Sequence, residues 1–295
     1  MKVLNFGSLN FDYVYDVDHF VQPKETMSSI SFNRHLGGKG LNQSIALAKA
    51  GMDVYHAGMI GKDGKVFIDY LQQYGVHTEY ITCHEKLATG HAIIQVAHSE
   101  NCIILYGGAN EAIACCQVDE VLSHFQRGDL LLIQNEISSL AYLIEKAHYQ
   151  GLQIAFNAAP MNDKVKQYPL NLIDYLLVNE VEGRELADCV TNDYKQIICT
   201  LQKKYPQVKV IMTLGSEGVY YADHDEVIYQ EAFKVKAKDT TAAGDTFTGF
   251  FLAMIMAKKK IRDALKIASK ASSITVTRDG AAKSIPTLKE IEMTD

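Results

Sequence analysis

The chain has 295 residues, of which 47% are hydrophobic and 22% are charged, and its formal net charge is −6. This balance is typical of a folded globular protein and excludes a disordered or low-complexity chain. The negative charge without a basic stripe argues against nucleic-acid binding, and the longest apolar run, residues 247–257, is shorter than the ~20 residues of a membrane helix.

Apolar strands alternate with helices that end at glycine along most of the chain. The predicted elements, in chain order, are a strand at 3–6, a helix at 41–50, a strand at 54–60, a helix at 65–74, a strand at 130–134, a helix at 140–149, strands at 154–157, 175–178 and 208–214, and helices at about 243–257 and 262–275. Such alternation predicts an α/β fold of three layers, in which helices cover both faces of a mainly parallel central sheet.

Two regions interrupt this alternation. Segments 12–18 and 29–35 alternate polar and apolar residues without a helix between them. Segments 89–97 and 102–106 flank a turn at 98–101, which is typical of a hairpin. These four pieces form either a small second sheet over one end of the main domain or edge strands of the main sheet, and the sequence favours neither arrangement.

The chain has six cysteines, none of them in a C-x-x-C arrangement, which argues against a zinc site. They are Cys83, Cys102, Cys115, Cys116, Cys189 and Cys199. The N-terminal sequence MKVLNFGS has the pattern of a strand and lacks the features of a signal peptide. We therefore expect a cytoplasmic protein whose reduced thiols are small, buried hydrophobic side chains.

Two common phosphate-binding patterns are absent from the sequence. None of the Gly-Lys pairs at 38–39, 61–62 and 64–65 is followed by serine or threonine, as the Walker sequence requires. The dinucleotide pattern G-x-G-x-x-G fails because Gln43 stands where its last glycine should be. A P-loop enzyme and a typical dinucleotide-dependent dehydrogenase are therefore both disfavoured.

The strongest motif is DTTAAGDTF at residues 239–247, which leads into a long apolar helix. Small residues let backbone N–H groups approach a ligand closely, and a helix N-terminus favours an anion. Asp245 falls in the first turn of this helix. A carboxylate beside a bound phosphate is unfavourable unless it has a task, such as accepting a proton from an attacking hydroxyl. The alternative is that Asp245 only caps the helix, and this motif alone favours the alternative.

Two further motifs precede helices. The sequence LGGKGLNQ combines a glycine cluster with Lys39 and Asn42, which could hold a polar ligand or could be a loop with an N-cap. The sequence VNEVE places Asn179 and Glu182 after a strand and three positions apart. Both side chains can then face a ligand or a hydrated Mg²⁺ ion, and a capped helix with an acidic first turn is the alternative.

Together these motifs resemble the ribokinase-like sugar kinases, also called the phosphofructokinase-B superfamily. The resemblance extends in order over essentially the whole chain. It rests on GSLNFD at 7–12, GGKGLN at 37–42, QNE at 134–136, NEVE at 179–182, TLGSEG at 213–218, DTTAAGD at 239–245 and TVTRDG at 275–280 through Ser284. It implies an ATP-dependent kinase with a single domain over 1–295, in which the four strand segments form a β-sheet lid over the sugar.

The resemblance also implies roles for individual residues, with Asp245 as the catalytic base. The sugar would be held by Asn10, Asp12, Gly38, Lys39, Asn42, Glu136 and Asp245. The anion hole for the transferred phosphate would consist of Ala242, Ala243 and Gly244, and ATP would be bound by Asn179, Thr213, Gly215 and Gly218. Asn179 and Glu182 would order Mg²⁺ through water. A site for an activating monovalent cation such as K⁺ would be formed by Asp239, Thr241, Thr275, Arg278, Gly280 and Ser284.

The complete set of sugar residues and the Ala-Ala-Gly-Asp form of the main motif are ribokinase-like, so the resemblance implies D-ribose as the substrate. Three features depart from the family: Leu41 replaces a small residue, Phe11 is bulkier than usual, and residues 22–25 lack the common Pro-Gly. One alternative is a kinase for another sugar or a nucleoside, against which the bulk of Phe11 and Leu41 argues. The other is a non-catalytic, sugar-sensing homologue, against which the intact motif around Asp245 argues.

The predicted lid hairpin has apolar residues on both faces, with Ala92, Ile94 and Val96 on one and Ile93 on the other. A small sheet with two apolar faces needs a partner to cover it. The lid of the family usually pairs two subunits, and we therefore expect a homodimer formed through the lid.

Overall fold

The computed structural model describes residues 1–98 and 100–293, so Ser99, within the predicted turn at 98–101, lies outside the described residues. The strands are β1 (Val3–Phe6), β2 (Asn10–Asp16), β3 (Ser31–Gly37), β4 (Val54–Gly61), β5 (His77–His84), β6 (Gly90–Ala97), β7 (Glu100–Tyr106), β8 (Leu130–Gln134), β9 (Gln153–Asn157), β10 (Tyr175–Asn179), β11 (Lys209–Thr213), β12 (Gly218–Ala222) and β13 (Val227–Glu231). The α-helices are α1 (Lys39–Lys49), α2 (Val66–Gln72), α3 (Cys115–Leu122), α4 (Leu140–Gln150), α5 (Glu180–Leu186), α6 (Tyr194–Lys204), α7 (Ala243–Met256), α8 (Ile261–Thr275) and α9 (Leu288–Glu292).

The main sheet has the strand order β13-β12-β11-β10-β9-β8-β1-β4-β5. Its strands pair in parallel from β11 to β5, and only β12 and β13 at one end are antiparallel. This confirms the predicted mainly parallel sheet. The sequence pattern misses β5, β12 and β13 because they lie at or near the edges and are interspersed with polar residues, which weakens the apolar signal.

Helices cover both faces of this sheet. Val3 of β1 packs into a hydrophobic cluster that includes α1, α2, α7 and α8, while the next residue, Leu4, packs into a second cluster that includes α3, α4, α5 and α6. Leu130 and Leu131 of β8 divide between the two clusters in the same way. Because successive side chains of a strand point to opposite faces, this division confirms the three layers expected from the sequence.

A separate four-stranded sheet, the lid sheet, has the order β3-β2-β6-β7. The four strand segments that interrupt the alternation therefore form a second sheet and are not edge strands of the main sheet. The structure starts β2 at Asn10, two residues before the predicted segment, because Asn10 and Phe11 are both buried and do not follow the polar–apolar alternation. Asn10 pairs with Gly37 at the end of β3 and with Gly90 at the start of β6, so the strands meet at the base of the lid sheet.

The expectation that the cysteines are buried is wrong. Cys83, Cys102, Cys115 and Cys116 are exposed, and Cys189 and Cys199 are partly buried. The exposed thiols lie on the edge strand β5, on the outer lid strand β7 and in the first turn of α3, where side chains face solvent. Among residues 1–98 and 100–293, no helix combines the length and the apolar character needed to cross a membrane.

Candidate active site

The carboxyl ends of the parallel strands and the N-termini of α1 and α7 surround two cavities. The first, the α7 cavity, has a volume of about 250 Å³, and its lining includes Lys39, Asn179, Glu182, Thr213, Asp245 and the small residues that begin α7. The second, the lid cavity, has a volume of about 330 Å³, and its lining includes Asn10, Tyr106, Asn110, Asn135, Glu136 and Tyr168. The backbone N–H of Lys39 donates to Glu136 Oε2 at 3.1 Å, which ties a wall of one cavity to a wall of the other.

Asp245 lies in the first turn of α7 but does not cap the helix. The capping position belongs to Ala242, which has a left-handed φ of 62° and no side-chain cap. The Asp245 carboxylate instead accepts hydrogen bonds from Asn42 Nδ2 and Gln43 Nε2, both at 2.9 Å. Its side chain is only 9% exposed and borders the α7 cavity. The capping alternative is therefore excluded, and the carboxylate is free to act on a ligand in the cavity.

The residues that begin α7 have the properties of an anion site. Ala242, Ala243 and Gly244 all line the α7 cavity. A Cβ atom added to Gly244 would meet no atom within 4 Å, so the space in front of this residue is open. Because the first N–H groups of a helix lack partners within the helix and carry partial positive charge, this open space suits a phosphate group.

The glycine-rich segment before α1 places Lys39 and Asn42 beside Asp245. Gly38 precedes the helix with a φ of 96°, a conformation that side-chain-bearing residues rarely adopt. This turn directs the Lys39 N–H towards Glu136, whose carboxylate also accepts a hydrogen bond from the Ser8 hydroxyl. Ser8, just after β1, and Lys39, at the start of α1, therefore converge on Glu136, just after β8.

Several carboxylates surround the single ammonium group of Lys39. Burial lowers the pKa of Lys39, but the negative charges of Asp245, Glu136 and other carboxylates raise it by more. The pKa of Lys39 is therefore raised. Burial, with the negative charges of Glu136 and Asp245, raises the pKa of Asp12 to about 7, although Lys39 opposes this shift. Burial likewise raises the pKa of Glu136. Such a site suits a neutral ligand with many hydroxyl groups, because the carboxylates accept their hydrogen bonds.

Asn10 is oriented by a residue that the sequence analysis does not identify. Asn110 Nδ2 donates to Asn10 Oδ1 at 2.8 Å, and both side chains line the lid cavity. The sequence analysis also does not identify Ser8, which bonds to Glu136, or Gln43, which bonds to Asp245, as residues of the site. Asn110 follows the predicted lid hairpin in the sequence YGGAN, and a polar residue after two glycines at the end of a strand is the signal that could have identified it.

Asn179 and Glu182 form a capping box at the start of α5. Asn179 Oδ1 accepts from the N–H groups of Val181 at 2.9 Å and of Glu182 at 2.8 Å, and Glu182 Oε2 accepts from the N–H of Asn179 at 2.9 Å. The capping alternative is thus realised, yet both side chains also border the α7 cavity. Burial raises the pKa of Glu182. Glu182 Oε1 and Asn179 Nδ2 have no hydrogen-bond partner among residues 1–98 and 100–293, so both can meet a ligand or its bound water.

Of the residues expected to bind ATP, Gly215 and Gly218 do not border the α7 cavity. Thr213 ends β11 and lines the α7 cavity. Gly215 and Gly218 lie beyond it in the turn between β11 and β12, where Leu214 N donates to Gly218 O at 2.8 Å. Of Thr213, Gly215 and Gly218, the structure therefore places Thr213 alone beside the α7 cavity.

The residues expected to bind a monovalent cation come together beside the N-terminus of α7. Asp239 accepts from the N–H of Thr241 at 2.8 Å and from the N–H of Gly280 at 3.0 Å, which joins the two loops. The Arg278 N–H donates to Thr275 O at 3.1 Å. The Arg278 guanidinium contacts Ser284 O at 3.4 Å, so Arg278 itself could offer a cation only its carbonyl oxygen.

The bulky side chains of Phe11 in β2 and Leu41 in α1 do not narrow either cavity. Phe11 and Leu41 are both buried in the hydrophobic cluster under α7 and α8, and neither lines the α7 cavity or the lid cavity. The argument that their bulk excludes a nucleoside is therefore not supported by their positions.

Known proteins that resemble this chain are carbohydrate kinases, in agreement with the geometry of the site. A model of the pfkB family carbohydrate kinases matches residues 1–288. The ribokinase of Haemophilus influenzae is 34% identical over 294 residues, which cover 96% of this chain and 95% of that protein. The structure of ribokinase from Cryptococcus neoformans var. grubii serotype A in complex with ADP superposes with a TM-score of 0.87 at 33% identity, covering 99% of this chain and 98% of that one. The structure of Arabidopsis thaliana ribokinase complexed with ribose and ATP gives a TM-score of 0.87 at 27% identity, covering 99% and 97%.

Proposed function

The chain belongs to the pfkB family of carbohydrate kinases, and from that premise we propose that it transfers the γ-phosphate of ATP to the primary hydroxyl of D-ribose, which yields ribose 5-phosphate and ADP. The observation that carries this proposal is the position of Asp245. Its carboxylate borders the α7 cavity, where a phosphate is favoured, and accepts a hydrogen bond from Asn42, one of the expected sugar residues. The similar ribokinases described above support ribose as the sugar.

In the proposed reaction, Asp245 is the proton acceptor. The O–H bond of the sugar hydroxyl breaks, its oxygen forms a bond to the γ-phosphorus, and the bond between that phosphorus and the β-bridging oxygen of ATP breaks. The proton passes to Asp245, and the electron pair leaves with ADP. Ala242, Ala243 and Gly244 would stabilise the transferred group through backbone N–H groups at the start of α7.

Sugar recognition would rest on Asn10, Asp12, Lys39, Asn42 and Glu136, with Gly38 allowing the chain to approach. Asp12 and Glu136 offer acceptors, while Asn10 and Asn42 carry amides. Sites built from buried hydrogen bonds discriminate strongly against a substrate that lacks the matching hydroxyl. This predicts a preference for ribose over 2-deoxyribose, hexoses and nucleosides.

The residues at the start of α5 fit a hydrated Mg²⁺ ion. Because Asn179 Oδ1 already accepts two backbone hydrogen bonds, Asn179 is suited to hold a metal-bound water or a phosphate through Nδ2 rather than to ligate the metal. Glu182 retains one oxygen for such a water. When bound with ATP, Mg²⁺ would neutralise charge on the phosphates during transfer.

The two loops joined by Asp239 fit a monovalent cation. Carboxylate and carbonyl oxygens suit a hard cation, and Asp239 already links the loop at Thr241 to the loop at Gly280. An ion at this position would brace the segment that leads into Ala242 and the start of α7. We propose K⁺ as the activating ion.

The lid sheet supports the proposal of a homodimer. Ile103, Ile104, Leu105 and Tyr106 of β7 are exposed, and Ile104 is 62% exposed. β7 is also an edge strand with one unpaired side. An exposed apolar edge strand is a liability unless another surface covers it, and a second copy of the lid sheet would do so.

The cytoplasm is the proposed location. The six cysteines, all at positions that the structure describes, are free thiols. Free and partly exposed thiols suit a reducing compartment, and such a compartment also supplies ATP.

A panel of sugars tests the proposed function. The measurement is kcat/KM for ribose, 2-deoxyribose, fructose and a nucleoside, each with ATP and Mg²⁺ in a coupled ADP assay. Ribose should have the highest value. A higher value for fructose or a nucleoside would reassign the substrate, and no turnover with any sugar would favour the non-catalytic alternative.

A further inference from the structure

We propose that Gln43 is a positioning residue for the catalytic base, and that Gln134 in turn fixes the orientation of Gln43. The inference rests on the proposed function, in which Asp245 accepts the proton of the sugar hydroxyl. Gln43 is fully buried and lines neither the α7 cavity nor the lid cavity. Its role in the site is therefore exerted through Asp245.

Each oxygen of the Asp245 carboxylate accepts one amide N–H. Asn42 Nδ2 donates to Oδ2 and Gln43 Nε2 donates to Oδ1, both at 2.9 Å. Two donors on the two oxygens resist rotation of the carboxylate about its Cβ–Cγ bond. The carboxylate is therefore held in one orientation by hydrogen bonds to both of its oxygens.

A chain of buried amides determines which end of Gln43 faces Asp245. Asn5 Nδ2 donates to the carbonyl oxygen of Gly40 at 2.8 Å. Because that oxygen can only accept, Asn5 Oδ1 must face the other way, and there it accepts from Gln134 Nε2 at 2.9 Å. Gln134 Nε2 also donates to Gln43 Oε1 at 2.8 Å. The only orientation left for Gln43 directs its Nε2 at the base.

The fold accommodates this network of buried amides by leaving space at Gly7 and by leaving one amide oxygen without a hydrogen bond. A Cβ atom added to Gly7 would lie 2.3 Å from Gln134 Oε1, so the network of amides requires glycine at position 7. Gln134 Oε1 is buried and has no hydrogen-bond partner. Asn5, Gln43 and Gln134 are all fully buried. Buried amides are costly where apolar side chains would pack as well, and a functional role at the base accounts for their presence.

The consequence for the reaction is a base held in one position before the sugar arrives. Asp245 must direct a lone pair at the hydroxyl hydrogen while the oxygen attacks phosphorus. The charged groups that act on it are Asp12 and Glu136, which are negative when ionised, and Lys39, which is positive. Without Gln43, the carboxylate would keep its hydrogen bond from Asn42 but lose the one that holds Oδ1, and Oδ1 could then turn towards Lys39 and away from the attacking hydroxyl.

The test uses Gln43→Met and Gln134→Met in the full-length protein, since methionine keeps the length of the side chain and removes the amide. The matched control is Gln117→Met. Gln117 is also a buried glutamine, and its Nε2 donates to Gly58 O at 3.1 Å and to Thr82 Oγ1 at 2.9 Å, outside both cavities described above.

Gln43→Met should lower kcat about 10- to 100-fold, the range expected when a reacting group is misplaced by about 1 Å. The KM values for sugar and ATP should change far less. Gln134→Met should also lower kcat more than KM, by a smaller factor. Gln117→Met should alter stability without lowering the kcat of the folded protein.

The inference is overturned if Gln43→Met keeps wild-type kcat, or if its loss of kcat only follows the fraction of folded protein, as judged by circular dichroism. If Gln43→Met does not fold, the outcome for Gln134→Met decides, because that residue reaches the base only through Gln43. Asp245→Asn separates this result from the proposed function. If Asp245→Asn stays active, Asp245 is not the base and the proposed function must be revised. If Asp245→Asn is inactive while Gln43→Met is unchanged, Asp245 remains the base and only the proposed role of Gln43 is wrong.

Discussion

Asn110 determines which end of the Asn10 amide faces the lid cavity. Asn110 Oδ1 accepts from the N–H of Leu9 at 3.1 Å, and Asn110 Nδ2 donates both to Leu9 O at 3.3 Å and to Asn10 Oδ1 at 2.8 Å. Since Asn110 cannot turn over without losing these bonds, Asn10 Oδ1 is engaged. Asn10 Nδ2 is then the group available to a sugar oxygen.

Replacing Asn110 should therefore weaken sugar binding selectively. In Asn110→Leu, Asn10 loses the partner that orients it, and a buried unsatisfied amide costs about 1–3 kcal/mol. We expect KM for ribose to rise roughly tenfold, which corresponds to about 1.4 kcal/mol. KM for ATP is the internal control, and an equal rise in both values would indicate a general loss of structure instead.

Asp245→Asn tests the base directly. The substitution preserves the shape of the side chain and removes the proton acceptor. Loss of a general base typically lowers the rate by ~10²–10⁴-fold, and we expect kcat to fall within that range. Ribose and ATP affinities, measured by calorimetry, should change far less. A variant that keeps more than about a tenth of wild-type kcat, well outside that range, would require another residue to accept the proton.

The partly buried carboxylate of Asp12 should make the unliganded protein less stable as the pH rises. Its pKa is raised from 3.8 to about 7, chiefly by burial and then by Glu136 and Asp245. Between these values the folded state binds more protons than the unfolded chain, so the free energy of unfolding falls with rising pH and the loss is complete above about pH 7. Asp12→Asn should reduce the fall in Tm across this window, whereas replacement of the exposed Asp225 by Asn should not. An unchanged pH dependence of Tm in Asp12→Asn would contradict the assignment.

Potassium should raise activity if a cation binds beside Asp239. The comparison is kcat in K⁺ against kcat in an equal concentration of a large organic cation that cannot enter the loops. We expect a higher rate in K⁺ for the wild type and a much smaller difference for Asp239→Asn, because the carboxylate joins the loops at Thr241 and Gly280. Identical wild-type rates in the two buffers would contradict the proposal of a cation site beside Asp239.

The exposed face of β7 should be buried between two copies of the chain. Sedimentation velocity at micromolar concentration should give a dimer for the wild type. Ile104→Lys places a charge on the exposed apolar edge and should give a monomer. Val190→Lys is the control, because Val190 is 99% exposed and lies outside the lid sheet. A wild-type protein that sediments only as a monomer would contradict the proposed interface.

Much of the fold could be predicted because its signals are local. The predicted strands at 3–6 and 130–134 coincide with β1 and β8, since an unbroken apolar run is what a strand buried on both faces requires. Strands β5, β12 and β13 of the main sheet and the exposure of the cysteines could not be predicted in this way. Their environments depend on which elements lie beside them, and a short segment carries no record of its neighbours.

The sequence by itself determined the chemistry of this protein: the residues with acid, amide and glycine character, their order along the chain, and the start of α7 with Asp245 in its first turn. Only the tertiary structure decided that the four lid strands form a separate sheet, that Asp245 is held by Asn42 and Gln43 and does not cap its helix, and that Asn110 and Gln134 orient residues of the site. The physical reason is that a hydrogen bond depends on distance and direction in space. The partners of Asp245 are 203 and 202 positions away along the chain, and only the packing of α1 against α7 and the parallel sheet brings them within bonding distance.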